Sequence, residues 1–256
     1  MTWDFLNTGF HPGAVNMELD QSLADRLLRG EGKPTLRVYG WDPPAISIGY
    51  NQSMDDFDTR KLREAGVDIV RRPTGGRAIL HAHELTYSVV MKTENRTLRE
   101  IYRLINEALL RGLRFLGIDA QLVDATDSVD AMYRNPSSIP CFASSSKSEI
   151  QFNGRKLLGS AQRRYGDAVL QHGSLLLGPQ HRRLMEFLSR PPERQTEESL
   201  SARATDAETI LGRDVTFEEA AAAVKLGFER SPGIFFSEEH GDESGKSPAL
   251  LQPSIH

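Results

Sequence analysis

The stretch SEIQFNGRKLLGSAQRR constrains this chain more than any other, because Asn153-Gly154 stands between two runs of strand character. Asparagine followed by glycine tolerates positive φ at both central positions of a type I′ turn, whose twist matches that of a two-stranded ribbon. The spacing therefore predicts an antiparallel hairpin, with AVLQHGSLLL as the next strand. Regular βαβ winding does not produce such a ribbon, so the hairpin points to an α+β fold.

The remaining pattern agrees. Asn16 is placed to cap a helix over about 17–29, with Leu19, Leu23 and Leu27 at four-residue spacing and Gly30 to end it. TLRVY and AISIGY read as two strands with WDPP as the turn between them, and KLREAGVDIVRR as a short helix ending at Gly66 followed by a strand. RAILH and LTYSVVM are further strands. Thr97 and Glu100 form a capping box before a long helix carrying Leu98, Ile101, Ile105, Leu109 and Leu116 on one face. The polar stretch TDSVDAMYRNPSSIP is a long loop leading to Cys141. Beyond residue 180 the pattern turns helical, with a second capping box at Thr216 and Glu219. The expected architecture is α+β, a mostly antiparallel or mixed β-sheet with flanking helices. It divides into a catalytic unit over 1–190, a helical extension over 191–236 and a disordered polar tail over 237–256.

Composition narrows the function classes. A charge of -4 argues against a protein that holds nucleic acid through bulk electrostatics. One cysteine forms no intramolecular disulfide, and there is no CxxC pair for zinc. No run approaches the roughly 18 apolar residues of a membrane helix, and the N-terminus lacks a leader pattern, so a cytoplasmic protein with no membrane partner is expected. HExxH, Walker and dinucleotide motifs are absent.

Four places carry candidate chemistry. RRPTGGRAILH sets Arg72, Gly75, Gly76, Arg77 and His81 between two strands, where glycines let backbone amides approach an acyl carbonyl or a phosphate; the same residues also suit a plain strand-connecting turn. Cys141 follows a long loop and a proline, a position open to a nucleophile, although a lone cysteine of this kind is more often a small buried hydrophobe. Lys156 lies on the strand after the hairpin turn, where an ammonium can lower a thiol's pKa and orient an acyl carbonyl, or simply be solvated. Beside it Gly159 and Ala161 leave room for a ligand, with Gln162 next along the strand; His172, in LQHGSLLL, is by default a satisfied core histidine.

Taken in order, NMELDQSL, YGWDPPAISIGYNQ, RRPTGGRAILH, ELTYSV, NGRKLLGSAQ and LQHGSLLL resemble the biotin/lipoate A/B protein ligase family over nearly three quarters of the chain. Within it, Gly75-Gly76-Arg77 and the pair Cys141-Phe142 after Asn135-Pro136 are most similar to the LipM-type octanoyltransferase branch. His83 departs from the family pattern, and the segment after 190 carries no motif recognisable as the family's. The resemblance implies a sheet domain with an apolar slot for an acyl chain. It implies Cys141 as acyl-thioester nucleophile and Lys156 as its partner. It also implies substrate binding by Arg72, Gly75, Gly76, Arg77, His81, Gly159, Ala161, Gln162 and His172.

The reaction so implied moves octanoyl from acyl carrier protein to a lysine of a lipoyl domain, such as the glycine cleavage H protein or a 2-oxoacid dehydrogenase E2 component, in lipoate biosynthesis. It takes no cofactor and no metal, and a monomer suffices. Arg71, Arg72, Arg77, Arg163 and Arg164 are candidate docking residues by charge alone. An ATP-dependent lipoate ligase, a lipoyl-domain amidotransferase and a non-catalytic acyl-binding module remain as alternatives.

Overall fold

The computed structural model describes residues 2–124, 148–190 and 202–237. Cys141, the polar loop before it and nearly all of the expected tail lie outside these described residues.

The strands are β1 (Thr2–His11), β2 (Thr35–Trp41), β3 (Ala45–Ile48), β4 (Asp68–Arg71), β5 (Ile79–His81), β6 (Glu84–Lys92), β7 (Gln121–Asp124), β8 (Ser148–Phe152), β9 (Arg155–Tyr165), β10 (Ala168–Leu176) and β11 (Phe235–Phe236). The helices are α1 (Gly13–Leu28), α2 (Thr59–Glu64), α3 (Leu98–Phe115), α4 (Ala207–Leu211) and α5 (Phe217–Glu229), with a 3-10 segment over Pro179–Phe187. One sheet of eight strands runs β11-β1-β2-β6-β10-β9-β8-β7, and a second of three strands runs β4-β3-β5. Every pairing is antiparallel except those of β1 with β2 and β11 and of β3 with β4, so the fold is α+β with mixed sheets. The hairpin forms at Asn153 and Gly154, both at positive φ (49° and 74°), between β8 and β9.

Side chains alternate across a strand, so register divides the large sheet into two faces. On one, Leu36, Val38, Leu85, Tyr87, Val89 and Val169 pack against α3 and α5 in the main core. Those helices approach so closely that a Cβ on Gly227 would stand 2.4 Å from the Ala108 carbonyl oxygen. The segment expected to be a helical extension thus contributes Phe217, Ala220, Val224 and Phe228 to the same core as the strands. On the other face, Ala24 and Leu27 of α1 cover Val90, Ala168 and Leu170, while Tyr39 and Trp41 meet Ala45 of the small sheet.

Several local expectations change in three dimensions. Helix α1 begins at Gly13 behind Pro12; Asn16 lies inside it, fully buried, with its amide nitrogen donating to the carbonyls of His11 and Gly40. A buried amide with four bonding sites serves better as a cross-link than as a cap. TLRVY and AISIGY are both strands with WDPP as the turn between them, and they lie in different sheets, the second in the small one. Thr2–His11, not read as a strand, form β1, which pairs parallel to β2. The Thr97–Glu100 box forms in both directions, although Leu98 is exposed. At Thr216 the hydroxyl caps Glu219, but the Glu219 carboxylate turns to Arg213 instead of reaching back.

Candidate active site

Lys156 should, by simple alternation, share a face with Leu158. The β8–β9 register slips between Ile150↔Leu158 and Gln151↔Lys156, so Leu157 is an extra residue in β9. Leu157 and Leu158 both enter the main core beside Ile150, which turns Lys156 to the opposite face, the one shared with Gly159, Ala161 and, across the ladder, His172. A bulge that re-aims a side chain is a recurrent device beside active sites. There Lys156 is 4% exposed and its Nζ donates to Glu149 Oε1 at 2.6 Å. Glu149, itself 3% exposed, had no sequence signal beyond sitting one residue before a buried Ile150.

The RPTGGR turn, residues 72–77, approaches this face from the small sheet. Arg72 is buried and engaged by the turn itself: its guanidinium donates to the carbonyls of Gly75 (2.9 Å), Arg77 (2.6 Å) and Ser47 (2.9 Å). Gly76 takes φ 95°, and Gly49 lies against it so tightly that a Cβ there would be 2.0 Å from the Gly76 oxygen. Gly75 and Gly76 are exposed, and among the described residues their N–H groups meet no acceptor, which leaves two amide donors at a glycine turn. Arg71 Nη1 donates to the carbonyls of Gly49, Tyr50 and Gln52, and Arg163 Nη1 to that of Pro73 (2.7 Å). Of the arginines selected for docking by charge, Arg72 and Arg163 therefore brace the turn, and Arg71 braces the neighbouring segment 49–52. An open cleft of about 360 Å³ runs beside it, lined by Met17, Gln21, Tyr50, Arg71, Pro73 and Arg163.

Two buried polar networks anchor this region. In the first, Asp20 of α1 accepts from Arg37 (2.7 Å), Tyr39 (3.0 Å) and Ser88 (2.7 Å) and meets His172 Nδ1 at 3.2 Å; His172 Nε2 meets the Thr74 hydroxyl at 2.6 Å. Burial opposes a charge on Asp20, but the hydrogen bond from His172 and the Arg37 guanidinium hold its carboxyl below the usual range. Burial pushes the His172 imidazole down against the pull of Asp20. An ionised Asp20 only accepts, so the neutral ring carries its proton on Nδ1, and Nε2 accepts from Thr74. In the second network, Arg72 Nη1 donates to Ser47 Oγ (3.1 Å), which meets His81 Nε2 (2.7 Å); His81 Nδ1 meets Glu84 (2.9 Å), which also binds Thr86 and Ser174. Trp41 stacks on the His81 ring at 4.0 Å.

The structure thus gathers Arg72, Gly75, Gly76, Arg77, His81 and His172 around one turn, with Gly159, Ala161 and Lys156 on the sheet face that His172 shares. Both ring nitrogens of His81 and of His172 are engaged within the protein, so each acts through what it holds. Gln162 lies on the opposite face, bonded to Gln171 (2.9 Å), whose amide reaches the Tyr87 hydroxyl under α3. Asp20, Thr74, Ser47 and Glu84 were not singled out in the sequence; short polar residues on otherwise apolar elements were the available signal. No cluster of three His, Cys, Asp or Glu side chains suited to a metal occurs among the described residues.

Comparison with known proteins agrees with this geometry. The family model for the lipoyl protein ligase A/B catalytic domain matches residues 12–229. The octanoyltransferase LipM of Geobacillus kaustophilus is 40% identical over 241 residues, covering 91% of this chain and 87% of that protein. That of Symbiobacterium thermophilum is 42% identical over 240 residues, with 91% and 87% covered. Among solved structures, the bipartite lipoate protein ligase of Thermoplasma acidophilum superposes with a TM-score of 0.72 at 26% identity, covering 93% of this chain and 87% of that one. A lipoate-protein ligase A bound with ATP gives 0.72 at 27% identity, with 93% and 89% covered. With its match over 12–229 and relatives of this closeness along nine tenths of its length, the chain belongs to the lipoyl protein ligase A/B catalytic domain family.

Proposed function

We propose that this protein is an octanoyltransferase that moves an octanoyl group from acyl carrier protein to a lysine of a lipoyl domain, with Cys141 carrying the acyl group between them. The observation that supports it most directly is the bulge that turns Lys156 onto the face of the glycine turn. Relatives named octanoyltransferases are about 40% identical, whereas the ligase structures are 26–27% identical, which favours transfer over ATP-driven ligation.

The Cys141 thiolate attacks the thioester carbonyl of the donor; a carbon–sulfur bond to Cys141 forms, the bond to the carrier's sulfur breaks, and the carrier leaves as its thiol. The acceptor lysine nitrogen then attacks the enzyme thioester, an amide forms, the Cys141 thiolate is released and the amine's proton departs. Lys156 favours the thiolate and, with the Gly75 and Gly76 amides, stabilises the oxyanion of each step. Arg72 holds the turn in shape, and Arg77, His81, Gly159, Ala161 and His172 support the acyl group directly or through that turn, while Gln162, on the other face of β9, takes no part in it. The activated donor removes any need for ATP. Acceptors are the glycine cleavage H protein or a 2-oxoacid dehydrogenase component, and the enzyme works in the cytoplasm as a monomer. Among the described residues no helix is long and apolar enough to cross a membrane.

Intact-mass spectrometry after mixing the protein with octanoyl-acyl carrier protein, without ATP, tests this. A hydroxylamine-labile octanoyl adduct, absent in Cys141→Ala and passed on to an added lipoyl domain, is expected. No adduct, with ATP-dependent attachment of free lipoate instead, overturns it in favour of a ligase.

A further inference from the structure

We infer that Asp20 and Thr74 are positioning residues: Asp20 fixes the proton of His172 on Nδ1, and Nε2 then holds the Thr74 hydroxyl, and with it the glycine turn, in its substrate-binding shape. Neither residue touches a reacting atom. The kinetic part of this inference rests on the octanoyltransferase reading; the structural part does not.

The geometry leads there in steps. Asp20 is fully buried on α1, and its two oxygens receive Arg37, Tyr39, Ser88 and His172, so it is locked from β2, β6 and β10 together. An ionised carboxylate offers no proton, and the imidazole beside it must therefore donate from Nδ1. A neutral ring then has one acceptor left, Nε2, and the 2.6 Å contact to Thr74 makes the threonine hydroxyl the donor. Thr74 is 1% exposed and its carbonyl accepts from the Tyr50 amide, so its side chain and backbone are both tied, while Gly75 and Gly76, immediately after it, are exposed and their amides meet no acceptor among the described residues. The chain α1–β10–turn thus sets where two amide donors point, which is what an oxyanion site requires.

Thr74→Val keeps shape and removes the donor; Thr74→Ser restores it. Hydrogen–deuterium exchange of the peptide containing Gly75–Arg77 should be faster in Thr74→Val than in wild type at one pH, and normal in Thr74→Ser. In octanoyl transfer, KM for the octanoyl donor should rise about 2- to 10-fold in Thr74→Val, the range a single net hydrogen bond supports, with kcat altered less and Thr74→Ser close to wild type. Ring nitrogen-15 NMR should find His172 protonated on Nδ1 in wild type and redistributed in Asp20→Asn. Unchanged exchange and KM in Thr74→Val, or a wild-type His172 protonated on Nε2, overturns the inference. A wild type that transfers no octanoyl group overturns the functional reading instead, and the exchange and NMR results still decide the positioning role.

Discussion

The Lys156–Glu149 pair permits a test that separates what the lysine does for the fold from what it does for chemistry. Both side chains are at least 96% buried and meet at 2.6 Å, so neither charge has water to fall back on. Glu149→Leu breaks this buried pair by removing one partner, a change that typically destabilises by about 3–5 kcal/mol. At roughly 2–4 °C per kcal/mol for a chain of this size, the melting temperature should fall by about 6–20 °C. The double variant Glu149→Leu/Lys156→Met removes both charges while keeping apolar volume, and such replacements are neutral or stabilising by about 1–4 kcal/mol. Thermal unfolding followed by circular dichroism should therefore show a large drop in the single variant and recovery in the double. Acyl transfer should be lost in the double despite its restored stability, because the ammonium is gone. A single Glu149→Leu variant that melts with wild type would refute the reasoning, since it would mean the buried pair adds nothing to the fold. An active double variant would refute the role given to the lysine.

Two further predictions concern stability. A Cβ at position 227 would meet the Ala108 oxygen and the Gly112 nitrogen at 2.4 Å, and backbone on both sides cannot move independently. Gly227→Ala should therefore force α3 and α5 apart and destabilise by about 1–3 kcal/mol in denaturant melts; an unchanged midpoint would mean the helices separate freely. Burial lowers His181 to about 4 from 6.5. Above pH 6.5 it is neutral folded and unfolded alike; below, the unfolded chain takes the proton first, so stability is lost as pH falls from 6.5 and levels off near 4, by about 3 kcal/mol in all. His181→Gln should flatten the fall in urea-derived stability across that window relative to wild type; identical slopes would show that His181 does not contribute.

Local sequence was sufficient wherever a short-range physical rule operates. Asn153-Gly154 determined a hairpin because both residues readily adopt the positive φ that a type I′ turn requires twice in succession, and Thr97 with Glu100 determined a helix start because their hydrogen bonds close within four residues. The ordered motifs identified the family, and with it the turn at 72–77. What sequence did not reveal depends on contacts between distant segments. WDPP reads locally as a turn between two strands, and nothing in it says that β2 and β3 part into different sheets, where β2 finds its partners in β1 and β6 and β3 in β4 and β5. Arg71, Arg72 and Arg163 read as docking charges, but free carbonyls in the turns around them capture their guanidinium groups. Lys156 leaves the face of Leu158 only because Leu157 and Leu158 both sink into the core, and a bulge is invisible to period-two alternation until its partner strand is known. Asp20 and His172, 152 positions apart, acquire their meaning solely through the fold that buries them together.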